Sequence, residues 1–133
     1  LGTRQTGSAG DPGYAFAFLL NNTVGKSNLQ LDFLLQSLDG SGITVGRTTK
    51  WKVDYGVGEN PIVFTPVTTS PATLSTIFGT PANFTSTPVT INFGSALNNL
   101  NQKVWIRIVT LEATTGGGNR PSTAIDDVKF SWN

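Results

Sequence analysis

Short stretches of this chain alternate between apolar and polar residues, which is the pattern of β-strands that bury one face. In Lys50 to Tyr55 the aromatic and aliphatic side chains share one parity, and the charged side chains take the other. A strand of this kind is half exposed and belongs to an antiparallel sheet. Similar patterns predict strands at Tyr14 to Leu20, Leu29 to Leu38, Thr48 to Gly56, Ile62 to Val67, Pro88 to Phe93, Val104 to Glu112 and Ala124 to Trp132.

Two stretches also carry helical spacing. Leu29 to Leu38 has leucines that fit a helix, but its neighbours are predicted strands and Asp39 to Gly42 has hairpin composition, so we favour a strand. Thr68 to Thr87 is rich in Thr, Ser and Pro, and there we expect a loop with one helical turn. The apolar residues at helical spacing in that loop are Leu74, Ile77 and Phe78.

The order of the predicted elements indicates the fold class. Turn signals separate the strands, and the chain has neither a βαβ rhythm nor an internal repeat. This order is typical of an all-β, antiparallel β-sandwich, and we favour the jelly-roll type. With 133 residues the chain fits one domain, 1–133.

Composition narrows the classes of function. The chain has 9 basic against 8 acidic residues, and its charged fraction of 13% argues against electrostatic capture of nucleic acid. It has no Cys and no His, which removes thiol chemistry, the usual general base and the usual zinc ligand. The longest apolar run, Tyr14 to Leu20, is too short for membrane insertion. A surface of Thr, Ser, Asn and Gly suits an extracellular or cell-surface domain.

Two adjacent carboxylates, Asp126 and Asp127, stand inside the last predicted strand. Neighbouring residues of a strand point to opposite faces, and Asp126 shares its parity with Val128, Phe130 and Trp132. Asp126 is therefore expected to point inward, unless a bulge changes the assignment. An inward carboxylate needs a partner, because burying a lone charge is costly.

Three partners for Asp126 are open. A cation is the first, and Arg120 or Arg4 is the second, since a planar guanidinium pairs well with a carboxylate. Simple capping or turn hydrogen bonds are the third. The residues alone do not choose among them.

The segment from Ser122 to Phe130, with Ala-Ile-Asp-Asp-Val at its centre, resembles the last strand of MAM-type domains and of galactose-binding-like jelly rolls. The resemblance implies a structural Ca²⁺ near the last strand, with a ligand from an early loop. Here that loop would be Thr6 to Gly13. The implied ligands are Asp11, Asp126 and Asp127, with carbonyl oxygens completing the coordination.

This chain departs from the MAM pattern in two respects. It has no Cys, so it is more similar to modules attached to secreted bacterial nucleases, adhesins and polysaccharide-degrading enzymes than to an animal MAM domain. Leu1 also begins close to the first predicted strand, whereas such sandwiches have an earlier one. A domain that lacks its first strand would leave an edge for a segment of another chain.

Exposed aromatic rings are the usual platforms for sugars. Trp51 and Tyr55 share the inward parity of their strand, and Trp132 ends the last one. Trp105 shares its parity with Arg107, opposite the aliphatic residues of its strand, so it is the favoured platform, with packing between layers as the alternative. The further candidate contacts of a ligand are Arg107, Lys50, Lys52 and Asn119.

Catalysis is not favoured. Asp32 with Asp54 or Glu112 would supply the paired carboxylates of a glycosidase, but nothing in their spacing singles them out. Gly116 to Gly118 lacks the Lys and the helix of a phosphate-binding loop, and is expected to be a hairpin turn. The sequence thus predicts a non-catalytic extracellular module that binds glycans or a cell-surface polymer. The alternative is a structural sandwich that assembles with other chains through its sheet edges.

Overall fold

The computed structural model describes residues 1–39, 46–78 and 85–133, and within these ranges the chain contains strands and no helix. The prediction of an all-β chain is confirmed. No described helix is therefore long and apolar enough to cross a membrane. The strands are β1 (Gly2–Arg4), β2 (Ala15–Leu20), β3 (Gln30–Ser37), β4 (Thr48–Val57), β5 (Thr65–Val67), β6 (Thr69–Ser70), β7 (Leu74–Ile77), β8 (Thr85–Asn92), β9 (Val104–Val109) and β10 (Ser122–Ser131).

The strands form two antiparallel sheets that pack face to face. Sheet 1 has the order β1-β10-β3-β8-β6, and sheet 2 has the order β2-β9-β4-β5, with β7 paired to the first part of β4. The longer strands alternate between the sheets along the chain. The predicted antiparallel β-sandwich is confirmed, while the jelly-roll subtype stays a prediction.

The core lies between the sheets and is built by alternating side chains. Leu31, Phe33 and Leu35 of β3 are buried, as are the aliphatic residues of β9 that alternate with Trp105 and Arg107. Each such side chain contributes about 1.5–3 kcal/mol through its burial. The inward and outward parities predicted for these strands are thus observed.

The prediction of a helical turn between Thr68 and Thr87 is wrong for the part that the structure describes. Residues 69–70 and 74–77 form β6 and β7, and residues 79–84 lie outside the described ranges. Leu74 and Phe78 are both buried. Their spacing of four fits a strand as well as a helix, because four is a multiple of two. The turn predicted at Asp39 to Gly42 falls, beyond Asp39, outside the described residues.

The prediction of a hairpin turn at Gly116 to Gly118 is also wrong. The strands before and after it, β9 and β10, belong to different sheets, so residues 110–121 cross from one sheet to the other. Along the way Thr115 bridges to Thr48, and Asn119 bridges to Gly46. The crossover therefore closes the end of the sandwich at which β4 begins.

Candidate functional site

The acidic pair of the last strand lies at a β-bulge. The register of β10 shifts between Asp126 and Lys129, and Asp127 has a φ of 49°. Both carboxylates are exposed, so the inward placement of Asp126 is wrong. The reason is the extra residue of the bulge, which breaks the alternation on which that placement depended. The Asp127 backbone N–H donates to Asp126 Oδ1 at 3.0 Å, which is the turn hydrogen bond among the three alternatives.

The carboxylate that an Arg does hold is Asp11, in the early loop. Asp11 accepts hydrogen bonds from Arg120 Nε, from the Thr114 backbone N–H at 2.7 Å and from Thr114 Oγ1 at 2.8 Å. Its side chain is only 3% exposed. Burial raises the pKa of Asp11, but the hydrogen bonds from Thr114 and Arg120 outweigh burial and lower that pKa below its ordinary value.

Arg4 likewise pairs with a carboxylate other than the predicted one. It binds Asp39, which also accepts a hydrogen bond from the Ser122 backbone N–H. The start of β10 is therefore fixed by Asp39 and by the Asp11–Arg120 pair just before it. An Arg does fasten the early loop to the end of the chain, but through Asp11 rather than Asp126.

The carboxylates named for calcium do not form one site. Among the described residues there is no group of three or more acidic side chains placed to hold a metal ion. Asp11 is occupied by Arg120 and Thr114, whereas Asp126 and Asp127 lie on β10 at the bulge. Calcium binding stays a prediction, and thermal melts with calcium and with EDTA would test it.

Four of the predicted ligand contacts share the outer face of sheet 2. Arg107 lies opposite Asp54 and Trp105 lies opposite Gly56, while Lys50 and Lys52 precede them on β4. The fifth, Asn119, lies beside Gly46, before β4 begins.

The charged residues of this face are engaged with one another. Arg107 donates to both Asp54 oxygens, at 2.8 and 2.7 Å, and its guanidinium lies 3.4 Å from the centroid of the Phe64 ring. Lys50 and Lys52 both bind Glu112, at 3.3 and 3.1 Å, and these bonds lower the Glu112 pKa. Few polar groups of this face are left for a ligand.

Trp105 is half-buried rather than an open platform. Its indole Nε1 is buried and has no hydrogen-bond partner within the described part of the chain. The β4–β5 loop folds onto the same face, so close that a Cβ at Gly56 would lie 2.8 Å from Pro61. The face around Trp105 is thus packed by a loop that the strand pattern does not reveal.

The most exposed tryptophan is Trp132, at the opposite end of the sandwich from Asp11. Its side chain is 47% exposed, and the Lys26 ammonium lies 4.4 Å from its ring centroid. Backbone hydrogen bonds of 3.1 and 2.9 Å join Ser27 and Asn133, and the Asn99 N–H donates to the Lys26 carbonyl. The β2–β3 loop therefore contacts both the end of β10 and the β8–β9 loop at this end of the sandwich.

Asparagine side chains fix these loops. Asn98 Oδ1 accepts from the Asn28 N–H at 2.9 Å, and Asn99 Oδ1 accepts from the Gly25 N–H at 3.0 Å. Asn22 Oδ1 accepts from the Val24 N–H in the same way. In residues 1–39, 46–78 and 85–133 none of these amides donates through Nδ2 to a protein atom. We name Asn22, Lys26, Asn98, Asn99 and Trp132 the Trp132 end.

A shallow cavity of about 210 Å³ lies on the outer face of sheet 1, beside the bulge. Asp127 and Asp32 line it, together with Leu34, Pro88 and Thr90. Hydrogen bonds from Gln30 and Thr90 lower the pKa of Asp32. The bulge thus brings Asp127 to a second carboxylate on the sheet surface.

Comparisons with protein-family models, with curated proteins and with solved structures give no match to this chain. The resemblance of the last strand to MAM-type and galactose-binding-like domains therefore stays a prediction.

Proposed function

We propose that this chain is a non-catalytic glycan-binding module of an extracellular protein, with the Trp132 end as its contact surface. The observation that carries the proposal is an exposed indole ring at the same end of the sandwich as three loop amides whose Nδ2 groups donate to no protein atom within the described residues. Sugars present apolar C–H faces together with hydroxyl groups. An aromatic ring with fixed amides beside it suits both.

The Trp132 end is fixed before any ligand arrives. Asn98 and Asn99 each hold a loop N–H with Oδ1, which sets the plane of the amide and hence the direction of Nδ2. Lys26 holds the indole of Trp132, which is still 47% exposed. Ordering of side chains is a main cost of association. At this surface the cost is small, because the side chains are already held in place.

The absence of catalysis is part of the proposal, and the engagement of the carboxylates supports it. Asp54 is held by Arg107, Glu112 by two lysines, and Asp32 by Gln30 and Thr90. The bonds to Glu112 and to Asp32 lower the pKa of these two carboxyl groups, which favours their ionised form. A glycosidase acid needs the opposite, a raised pKa.

The test is affinity gel electrophoresis on a panel of neutral and acidic polysaccharides. We expect retardation of the wild-type protein on at least one of them, and a tenfold or larger loss of affinity in Trp132→Ala, about 1.4 kcal/mol. Leu111→Ala is the matched control, because Leu111 is 48% exposed and lies at the other end of the sandwich. It should be retarded like the wild type.

Asn98→Asp and Asn99→Asp separate recognition from folding. Each keeps the oxygen that accepts the loop N–H and replaces the free Nδ2 donor by a second oxygen. The thermal melts should stay close to wild type while glycan affinity falls. Retardation lost in Asp127→Asn but kept in Trp132→Ala would move the site to the sheet 1 cavity. No retardation on any polysaccharide would refute glycan binding.

A further inference from the structure

The strand β2 forms an open edge of sheet 2. Within residues 1–39, 46–78 and 85–133 it pairs with β9 alone, in a continuous register from Ala15↔Val109 to Leu20↔Val104. Protected edge strands carry Pro, a bulge or a charge, or are very short. Residues 15–20 contain no Pro, no Gly and no charged residue. By contrast, the part of β10 that extends past β1 carries the bulge with Asp126 and Asp127, and the part of β8 that β6 does not cover carries Pro88.

Half of the backbone groups of β2 point away from the sheet. The Thr110 N–H donates to the Tyr14 carbonyl, so with this register Phe16, Phe18 and Leu20 are the residues that exchange hydrogen bonds with β9. The N–H and C=O groups of the residues between them face the open edge. These residues are Ala15, Ala17 and Leu19.

The sandwich has a strand position that no described residue fills. The Phe18 and Phe130 rings pack at 5.6 Å, so β2 faces β10, and the Tyr55 and Phe93 rings pack at 6.1 Å, so β4 faces the end of β8. Sheet 1 continues past β10 with β1, but sheet 2 ends at β2. On the opposite side, residues 65–78 run along the edges of both sheets.

The core is incompletely covered beside β2, as it also is around Tyr55, Val57, Val67 and Leu100. Most core side chains of the sandwich are buried, whereas Phe18 and Leu20 on β2 are half-buried. The same is true of Val128 and Phe130 on β10. A strand added to β2 would place its inward side chains beside these four.

We infer that β2 receives a single extended strand from another polypeptide, which completes sheet 2 opposite β1. The recognised segment is uncharged and apolar at alternate residues. It carries large side chains opposite Ala15 and Ala17, where the outer face has room. Its length is about that of β2.

A second intact copy of this domain does not fit the same edge. In each copy β10 faces β2 across the core. If the β2 strands of two copies paired, the β10 of the second copy would therefore lie next to the β10 of the first copy. In the first copy β1 already occupies that position in sheet 1. The occupant is therefore a lone strand rather than the edge of a second sandwich.

The probe is a synthetic peptide with the sequence of Tyr14 to Leu20, with Leu in place of its central Ala and with terminal lysines. Antiparallel pairing then sets a Leu of the peptide opposite Ala15 and another opposite Ala17 of the protein. Amide hydrogen exchange of the whole chain is followed by NMR. We expect exchange at Ala15, Ala17 and Leu19 to slow at least tenfold with saturating peptide, with Phe16 and Phe18 unchanged. The control is a peptide N-methylated at the positions that correspond to Ala15, Ala17 and Leu19, whose N–H groups would bond to β2. This peptide should have no effect.

Two protein variants check the edge itself. Ala17→Pro removes an N–H that faces outward, so the bonds to β9 stay, and peptide affinity should fall at least tenfold. Ala17→Lys adds a charge at an exposed position and should weaken binding without changing the thermal melt. Equal binding of the N-methylated peptide, or no protection at millimolar peptide, would overturn the inference. Protection that instead follows a concentration-dependent dimer would replace the lone strand by a second copy.

Discussion

The two ends of the sandwich hold their loops by different chemistry. At the end where β4 begins, two buried carboxylates hold the loops through arginines, namely Asp11 with Arg120 and Asp39 with Arg4. We call this the clasp end. At the Trp132 end, amide oxygens accept loop N–H groups and a lysine lies on an indole ring.

The difference shows which end has groups to offer. An ion pair such as Asp11–Arg120 uses the charge of both partners inside the protein. An asparagine fixes a loop with its oxygen and keeps two N–H donors for another partner. The clasp end is therefore an element of stability, and the Trp132 end is the candidate for binding.

The largest expected effect is at the clasp. Asp11→Ala leaves the Arg120 guanidinium and the Thr114 N–H without their acceptor, and should reduce the free energy of unfolding by about 3 kcal/mol. Asn99→Ala removes one acceptor at the other end and should cost about 1 kcal/mol. Urea denaturation of both variants checks the comparison. Equal losses would show that the two ends are held equally.

The contribution of Asp11 to stability at the clasp end should be lost in acid. The Asp11 pKa lies below its ordinary 3.8, so the unfolded chain binds more protons and stability rises with pH in this range. The contribution of Asp11 is fully present above pH 3.8 and is lost as the pH falls through the lower folded-state pKa. Thermal melts from neutral to strongly acidic pH measure this loss. Asp11→Asn cannot titrate, so its melting temperature should depend less on pH, and an unchanged slope would contradict the assignment.

A smaller effect is expected from the buried hydroxyls near the clasp end. Trp51 Nε1 donates to Thr76 Oγ1 at 3.0 Å, and Thr76 Oγ1 lies 2.8 Å from Thr123 Oγ1. Thr123→Val keeps the shape and removes one partner, which should cost about 1–2 kcal/mol. Thr65→Val on an exposed strand is the control and should be nearly neutral. A neutral Thr123→Val would mean that this chain of hydroxyls adds no stability.

The long strands and the fold class could be predicted because one face of each strand is buried. The two-residue period of β3, β4 and β9 is a direct record of that burial. The hydrophobic pattern does not predict how the strands are connected or what forms between them. Leu74 and Phe78 fit both periods, and Gly116 to Gly118 turn between sheets rather than within one.

The site was less predictable, because it depends on contacts between distant segments. The outward parity of Trp105 is correct, but the loop that packs on its face is set by Pro61 and the missing side chain of Gly56. Asn98 and Asn99 look like ordinary turn residues in sequence. Only the fold brings them to the loop before β3, whose Lys26 lies on the Trp132 ring.

The smallest expected effect belongs to Lys26 and Trp132. A cation on an exposed ring is worth about 0.5–1 kcal/mol, so Lys26→Met, which keeps the aliphatic stem, should lower stability by less than 1 kcal/mol. A double-mutant cycle with Trp132→Leu isolates the coupling of the pair. The same Lys26→Met variant should lose glycan affinity by more than its small change in stability, because the indole is no longer held in place. Zero coupling in the cycle would mean that Lys26 does not fix the ring, and the pre-formed surface at this end would have to rest on the asparagines alone.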